Sequence, residues 1–183
     1  GGDGIDVALW ENATGSVTIN LTAGTANGAG VGSDTLIGIE NAHGSRDFGD
    51  SITGSALGQY FFGRGGNDTI RALDGNDWFY GGSGADLLDG GNGFDRAAYN
   101  DDGFDPAGPI TRGIVANLSA ASVVVGAETV AAGTAVDGWG STDTLVSVEA
   151  ITGTGFGDVI MGGAASEFLD GGSGNDSLTG GAG

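Results

Sequence analysis

Between Ser45 and Ala98 an apolar residue recurs at every ninth position: Ile52, Phe61, Ile70, Phe79, Leu88 and Ala97. A glycine-rich, polar stretch separates each from the next. A spacing of nine fits neither the period of about 3.6 of a helix nor the period of 2 of a plain strand. It predicts a short strand whose middle side chain points inward, then a turn. The same phase returns from Gly153 to Thr179. Elsewhere, SVTINL (16–21) and GIVANL (113–118) alternate like strands, and DTLIGIEN (34–41) and DTLVSVEA (143–150) read as another strand leading into the periodic region. The pattern predicts an all-β chain.

Eighteen residues then make one coil of two strands, so alternate repeats stack. Ile52, Ile70 and Leu88 fall on one sheet, opposite Phe61, Phe79 and Ala97 on the other, as a thin core. The turns sort in the same way, with Asp50, Asp68 and Asp86 along one edge and Gln59, Asp77 and Asp95 along the other. Four consecutive units, GRGGNDTIR (63–71), ALDGNDWFY (72–80), GGSGADLLD (81–89) and GGNGFDRAA (90–98), follow G-G-x-G-x-D-x-U-x, where U is large and apolar in most of them. Glycines at the first, second and fourth positions allow positive φ and a close approach of backbone carbonyls to one ion. The sixth-position Asp adds a charged oxygen. Calcium takes six to eight such oxygens at roughly 2.3–2.6 Å, which two neighbouring turns can supply together.

A longer period overlies the short one. Gly-Gly-x-Gly occurs at Gly1, Gly90 and Gly180, and the sequence between follows suit: GGDGIDVALW (1–10) matches GGNGFDRAAY (90–99), VTINL (17–21) matches IVANL (114–118), and FGDSITG (48–54) matches FGDVIMG (156–162). The chain therefore reads as two tandem modules. The first spans 1–89, with a cap or insert at 10–44 and repeats at 45–89. The second spans 90–183, with an opening repeat at 90–98, an insert at 99–152 and repeats at 153–183. Trp10 and Tyr99 hold equivalent places just after a nonapeptide and are expected to plug the open end of the core. Asp34 and Asp143 recur in the matched insert strands as turn caps or as an extra calcium ligand. The chain is expected to be an excerpt of a longer tandem array, whose units each contact only their neighbours.

These motifs resemble the RTX (repeats-in-toxin) nonapeptide family of secreted bacterial proteins. The resemblance implies a right-handed parallel β-roll, a solenoid with small β cap or insert segments. Several calcium ions would be held by the Asp carboxylates and glycine carbonyls of the turns. Carried onto this chain, the metal residues are Asp50, Gly63, Gly65, Gly66, Asp68, Gly75, Asp77, Gly81, Gly82, Gly84, Asp86, Gly90, Gly91, Gly93, Asp95, Asp158, Gly171, Gly172, Gly174 and Asp176. Two turns depart from the pattern. Gln59 and Glu167 stand where Asp belongs and Ala165 replaces the fourth glycine, so these turns should bind weakly. The family is exported unfolded through a type I system, which implies a secreted, extracellular product that folds where calcium is plentiful.

Composition narrows the function. The chain has 41 Gly, no Cys, 24 acidic residues against five Arg, and a net charge of −19. Without counter-ions such a chain repels itself and is expected to be disordered, so calcium binding and folding become one event. Acid is expected to release the calcium. The scarcity of basic residues argues against nucleic acid and anionic membrane surfaces as partners, and no apolar run reaches the ~20 residues of a membrane helix. No nucleophile motif surrounds the single His43, and the patterned carboxylates are committed to calcium, so no catalysis is expected. The expected function is a calcium-dependent structural or adhesive module of a large secreted or cell-surface protein, with neighbouring copies of the module as partners. The alternative is an export and folding module attached to a secreted protease, lipase, epimerase or cytolysin.

Overall fold

The computed structural model describes residues 1–100 and 105–183; positions 101–104 of the expected insert lie outside the described residues. The described chain is all-β, with no helix. Its first sheet has seven strands in the order β1 (Val7–Leu9), β5 (Asn41–His43), β7 (Tyr60–Gly65), β9 (Trp78–Ser83), β11 (Arg96–Ala98), β17 (Ala150–Thr152) and β19 (Phe168–Asp170). Every pairing in it is parallel. The second sheet has eleven strands in the order β20 (Ser177–Thr179), β18 (Val159–Met161), β12 (Val115–Asn117), β15 (Thr134–Val136), β16 (Thr142–Val146), β10 (Leu87–Asp89), β8 (Thr69–Leu73), β6 (Ser51–Ser55), β2 (Val17–Asn20), β3 (Thr25–Gly28) and β4 (Gly32–Thr35).

From β6 to β11 the chain alternates between the sheets, and the register reproduces the nine-residue phase. Ile52 pairs with Ile70 and Ile70 with Leu88 on one sheet, while Phe61 pairs with Phe79 and Phe79 with Ala97 on the other. All six side chains are essentially fully buried. One apolar cluster gathers them with Trp10, Ile19, Ala42, Tyr99, Leu145, Ile151 and Ile160, so the two sheets share a single core. Trp10 and Tyr99 lie within it, and Tyr99 plugs no open end, because both sheets continue past it through β16 and β17. Burying a side chain of this kind contributes about 1.5–3 kcal/mol, the main recompense for ordering a glycine-rich chain.

The two insert segments are built into the long sheet. Strands β2, β3 and β4 form an antiparallel meander, with β2 parallel to β6. Strands β12, β15 and β16 form the same meander, with β12 parallel to β18. The first meander ends its sheet, which is the place of a cap. The second is inlaid, because β16 also pairs in parallel with β10. Among the described strands only the hairpin of β13 (Val123–Val125) and β14 (Glu128–Val130) stands apart, packing its valines onto Val115, Val136 and Met161. DTLIGIEN and DTLVSVEA each run from one strand into the next, from β4 to β5 and from β16 to β17, which belong to different sheets.

Candidate metal centre

The sixth-position residue of each repeat sits where a strand begins, and its carboxylate reaches across to the neighbouring coil. Oδ1 of Asp68 accepts the Asp50 amide at 2.6 Å, and Oδ1 of Asp86 accepts the Asp68 amide at 2.8 Å. On the other edge Oδ1 of Asp77 accepts the Gln59 amide at 2.7 Å and Oδ1 of Asp95 accepts the Asp77 amide at 2.8 Å. The second set of repeats does likewise, with the Asp158 amide donating to Asp176 at 3.0 Å. Each step spans 18 residues, the coil length inferred from the sequence.

The first-position glycine leaves room for the other carboxylate oxygen. A Cβ on Gly63 would lie 2.3 Å from Oδ2 of Asp68 and 2.5 Å from the Gly81 carbonyl, and one on Gly81 would lie 2.4 Å from Oδ2 of Asp86. Gly90 faces Oδ2 of Asp95 and the Ser147 carbonyl, and Gly171 faces Oδ2 of Asp176. These glycines are required for space; positive φ belongs to the second and fourth positions. Gly82 has φ 94° and Gly84 φ 137°, and Gly66, Gly75, Gly91, Gly93, Gly172 and Gly174 share that hand. Arg64 and Leu73, at second positions, adopt it without being glycine, at φ 84° and 85°. A Cβ on Gly82 or Gly84 would also strike the Arg64 or Gly66 carbonyl of the preceding coil. Gly65, at a third position, is the exception, since its open side faces Pro106 and the Arg46 carbonyl.

The turns of Asp68, Asp77, Asp86 and Asp95 thus set a carboxylate oxygen among backbone carbonyls in a site that excludes water, whereas Asp176 is exposed. Oδ2 of Asp68, Asp77, Asp86 and Asp95 is buried with no hydrogen-bond partner. Burial, with the Asp86 charge second, pushes the Asp68 carboxyl up to about 9, and burial pushes Asp77 up to about 7. The same cause raises Asp50, Asp86 and Asp95. A buried carboxylate without a partner is costly as an anion, so it either takes a proton or binds a cation. Hard oxygen donors in this arrangement suit calcium. Among the described residues no three His, Cys, Asp or Glu side chains gather as a cage of their own, so backbone carbonyls must complete any shell.

The Asp residues of the expected set are not equivalent. Oδ2 of Asp50 accepts the Ser45 amide, and Asp50 Oδ1 accepts the Val17 amide and the Ser45 hydroxyl. Asp158 is held in the same way by Thr154 and the Ile114 amide. Their oxygens are satisfied within the protein. Gln59 closes its own turn, with Oε1 accepting the Ser55 amide and Nε2 donating to the Glu40 carbonyl. Glu167 accepts the Gly163 amide at 3.1 Å.

Sequence reasoning passed over Asn67, Asn76, Glu40 and Glu149 as members of these edges, and it read Asp34 and Asp143 as turn caps or an extra calcium ligand. The fifth-position Asn67 and Asn76 accept the amides of Ala85 and Phe94 in the next coil. Glu149 accepts the Asp95 amide at 3.0 Å, and Glu40 accepts that of Asp6 at 2.9 Å. Asp143 lies inside β16 rather than in a turn and accepts the Asp86 amide at 2.9 Å, prolonging the Asp68–Asp86 row. Asp34 lies inside β4 and accepts the Trp10 indole N–H at 3.2 Å. The matched phrases SDTLIGIE and TDTLVSVE were the available signal for Asp143 and Glu149.

A family model of the RTX calcium-binding nonapeptide repeat matches the chain in four copies, over residues 62–97 and 152–183. No curated protein matches the chain.

Proposed function

We propose that the chain, which carries RTX calcium-binding nonapeptide repeats, is a calcium-folded structural or adhesive module of a large secreted or cell-surface protein, made to stack end to end with others like it. Its fold is then two tandem right-handed β-rolls, 1–89 and 90–183. Its ions sit at the turns of Asp68, Asp86, Asp77 and Asp95, with Asp176 next. Asp50 and Asp158, already satisfied by Ser45 and Thr154, start each row and contribute less. Extracellular calcium supplies the charge that the acidic rows need, and the calcium-bound turns replace the disulfides of a cysteine-free chain.

The junction between the two halves carries this reading. β16 pairs with β10, and the Thr144 amide donates to the Asp86 carbonyl at 2.7 Å. β4 is the counterpart of β16, yet it is the outer edge of its sheet. The residues there are correspondingly open: Leu9 is 54% exposed whereas its counterpart Ala98 is 5%, and Ile37 is 76% exposed whereas Val146 is 40%. The first half therefore offers outward the surface by which the second half receives the first. An unpaired strand edge of this kind is a template for another strand.

Hydrogen exchange in calcium tests the reading on a chain in which a second copy of residues 1–89 precedes Gly1. The Thr35 amide, the counterpart of Thr144, should slow by at least tenfold relative to the original chain. Unchanged exchange would remove the array and leave the export and folding module of an enzyme or toxin as the better account.

A further inference from the structure

We infer that the junction holds a calcium site outside the nonapeptide repeats, formed where Asp143 of the insert closes over Asp86. The inference rests on the calcium reading above. Asp143 is 1% exposed and Asp137 0%, and neither belongs to a repeat. Oδ2 of Asp86, Asp137 and Asp143 are buried oxygens without a hydrogen-bond partner. Their other oxygens are engaged: Oδ1 of Asp143 takes the Asp86 amide at 2.9 Å, and Oδ1 of Asp137 takes the amides of Trp139, Gly140 and Ser141. The Asp86–Asp143 step is the same contact as the Asp68–Asp86 step, with an insert strand in place of a repeat.

The charges around Asp143 do not balance. Asp143 feels the negative charges of Asp86 and Asp137, Asp86 feels that of Asp137, and the Tyr99 hydroxyl faces Asp143. The nearby cation is Arg112, which favours ionised Asp137 but also binds Glu128 at 3.2 Å. The stacked pair Asp86 and Asp143, with Asp137 near, buries negative charge that a divalent cation with hard-oxygen preference removes. Asp143 and Asp86 are its charged ligands, backbone carbonyls complete the shell, and Asp137 adds negative potential. The ion would pin the insert to the repeats and so couple the two halves.

Native mass spectrometry and calcium-dependent urea unfolding test the site with calcium alone. Asp143→Asn keeps the Oδ1 acceptor but removes the charge. It should bind one calcium fewer than the wild type, and the slope of log folding constant against log free calcium should fall by about one. Asp34→Asn, the counterpart on the open edge, should keep the wild-type count and slope. If Asp143→Asn folds too weakly in calcium alone, the same slope is read in trimethylamine N-oxide, which favours the compact state. An unchanged count and slope in Asp143→Asn, with the wild type binding calcium, overturns the junction site and spares the calcium reading. A wild type that takes up no calcium overturns both.

Discussion

At the scale of single residues, the repeat divides its labour among glycines that look alike in sequence. The first-position glycine makes space for a carboxylate oxygen, whereas the second and fourth provide a left-handed backbone and room for the coil beneath. Gly63→Ala would drive a methyl into Oδ2 of Asp68 and the Gly81 carbonyl, at 2.3 and 2.5 Å. Overpacking of this kind costs about 1–3 kcal/mol. The calcium concentration at half-folding should rise by at least tenfold, as read by far-UV circular dichroism. Gly155→Ala meets nothing within 4 Å and should leave that midpoint within error. Equal effects would mean that the first-position glycine is not shaped around the carboxylate. The same distinction orders the aspartates. Asp68→Asn removes charge from an oxygen that has no protein partner, while Asp50→Asn alters a group already held by Ser45 and Val17. Calorimetry should show the larger loss of calcium affinity in Asp68→Asn; the reverse order would contradict the proposed division between binding and starting positions.

At the scale of elements, the nonapeptide strands were legible because one inward side chain per nine residues leaves a single workable register. A shift by one would expose Ile52, Ile70 and Leu88 together. The insert strands were half legible. Their alternation located β2 and β12, but DTLVSVEA concealed a crossing from one sheet to the other, since the Ser147–Val148–Glu149 link has no glycine or proline to mark it. The ladder roles of Asp143 and Glu149 were hidden for a related reason. They lie 57 and 54 residues from the amides they accept, far outside the 18-residue step that reveals the repeats. Topology, rather than local pattern, puts them in the row. The satisfied state of Asp50 and Asp158 was equally invisible, because Ser45 and Thr154 read as ordinary turn residues until the backbone aims their amides at the carboxylates.

At the scale of the whole molecule, the buried aspartate rows make stability without calcium a function of pH, with a definite sign. In the folded chain the Asp68 carboxyl lies at about 9 and Asp77 at about 7, both raised by burial, against the model-compound value of 3.8. A group whose folded value is raised binds its proton more tightly when folded. Its contribution is fully present below about pH 4 and is lost as pH rises, through about 7 for Asp77 and about 9 for Asp68. The calcium-free chain should therefore be least able to fold above pH 8, where the rows must be anionic without counter-ions. Acidification in chelator should restore β signal progressively toward pH 5. Calcium reverses the balance, because it binds the carboxylate and competes with the proton, so the calcium midpoint should rise as pH falls even while the calcium-free fold strengthens. A circular-dichroism grid of pH against free calcium measures both trends on one sample. A calcium-free chain that loses β structure steadily from pH 8 to pH 5 would show that the aspartates are solvated when folded and that their burial does not create the need for the ion.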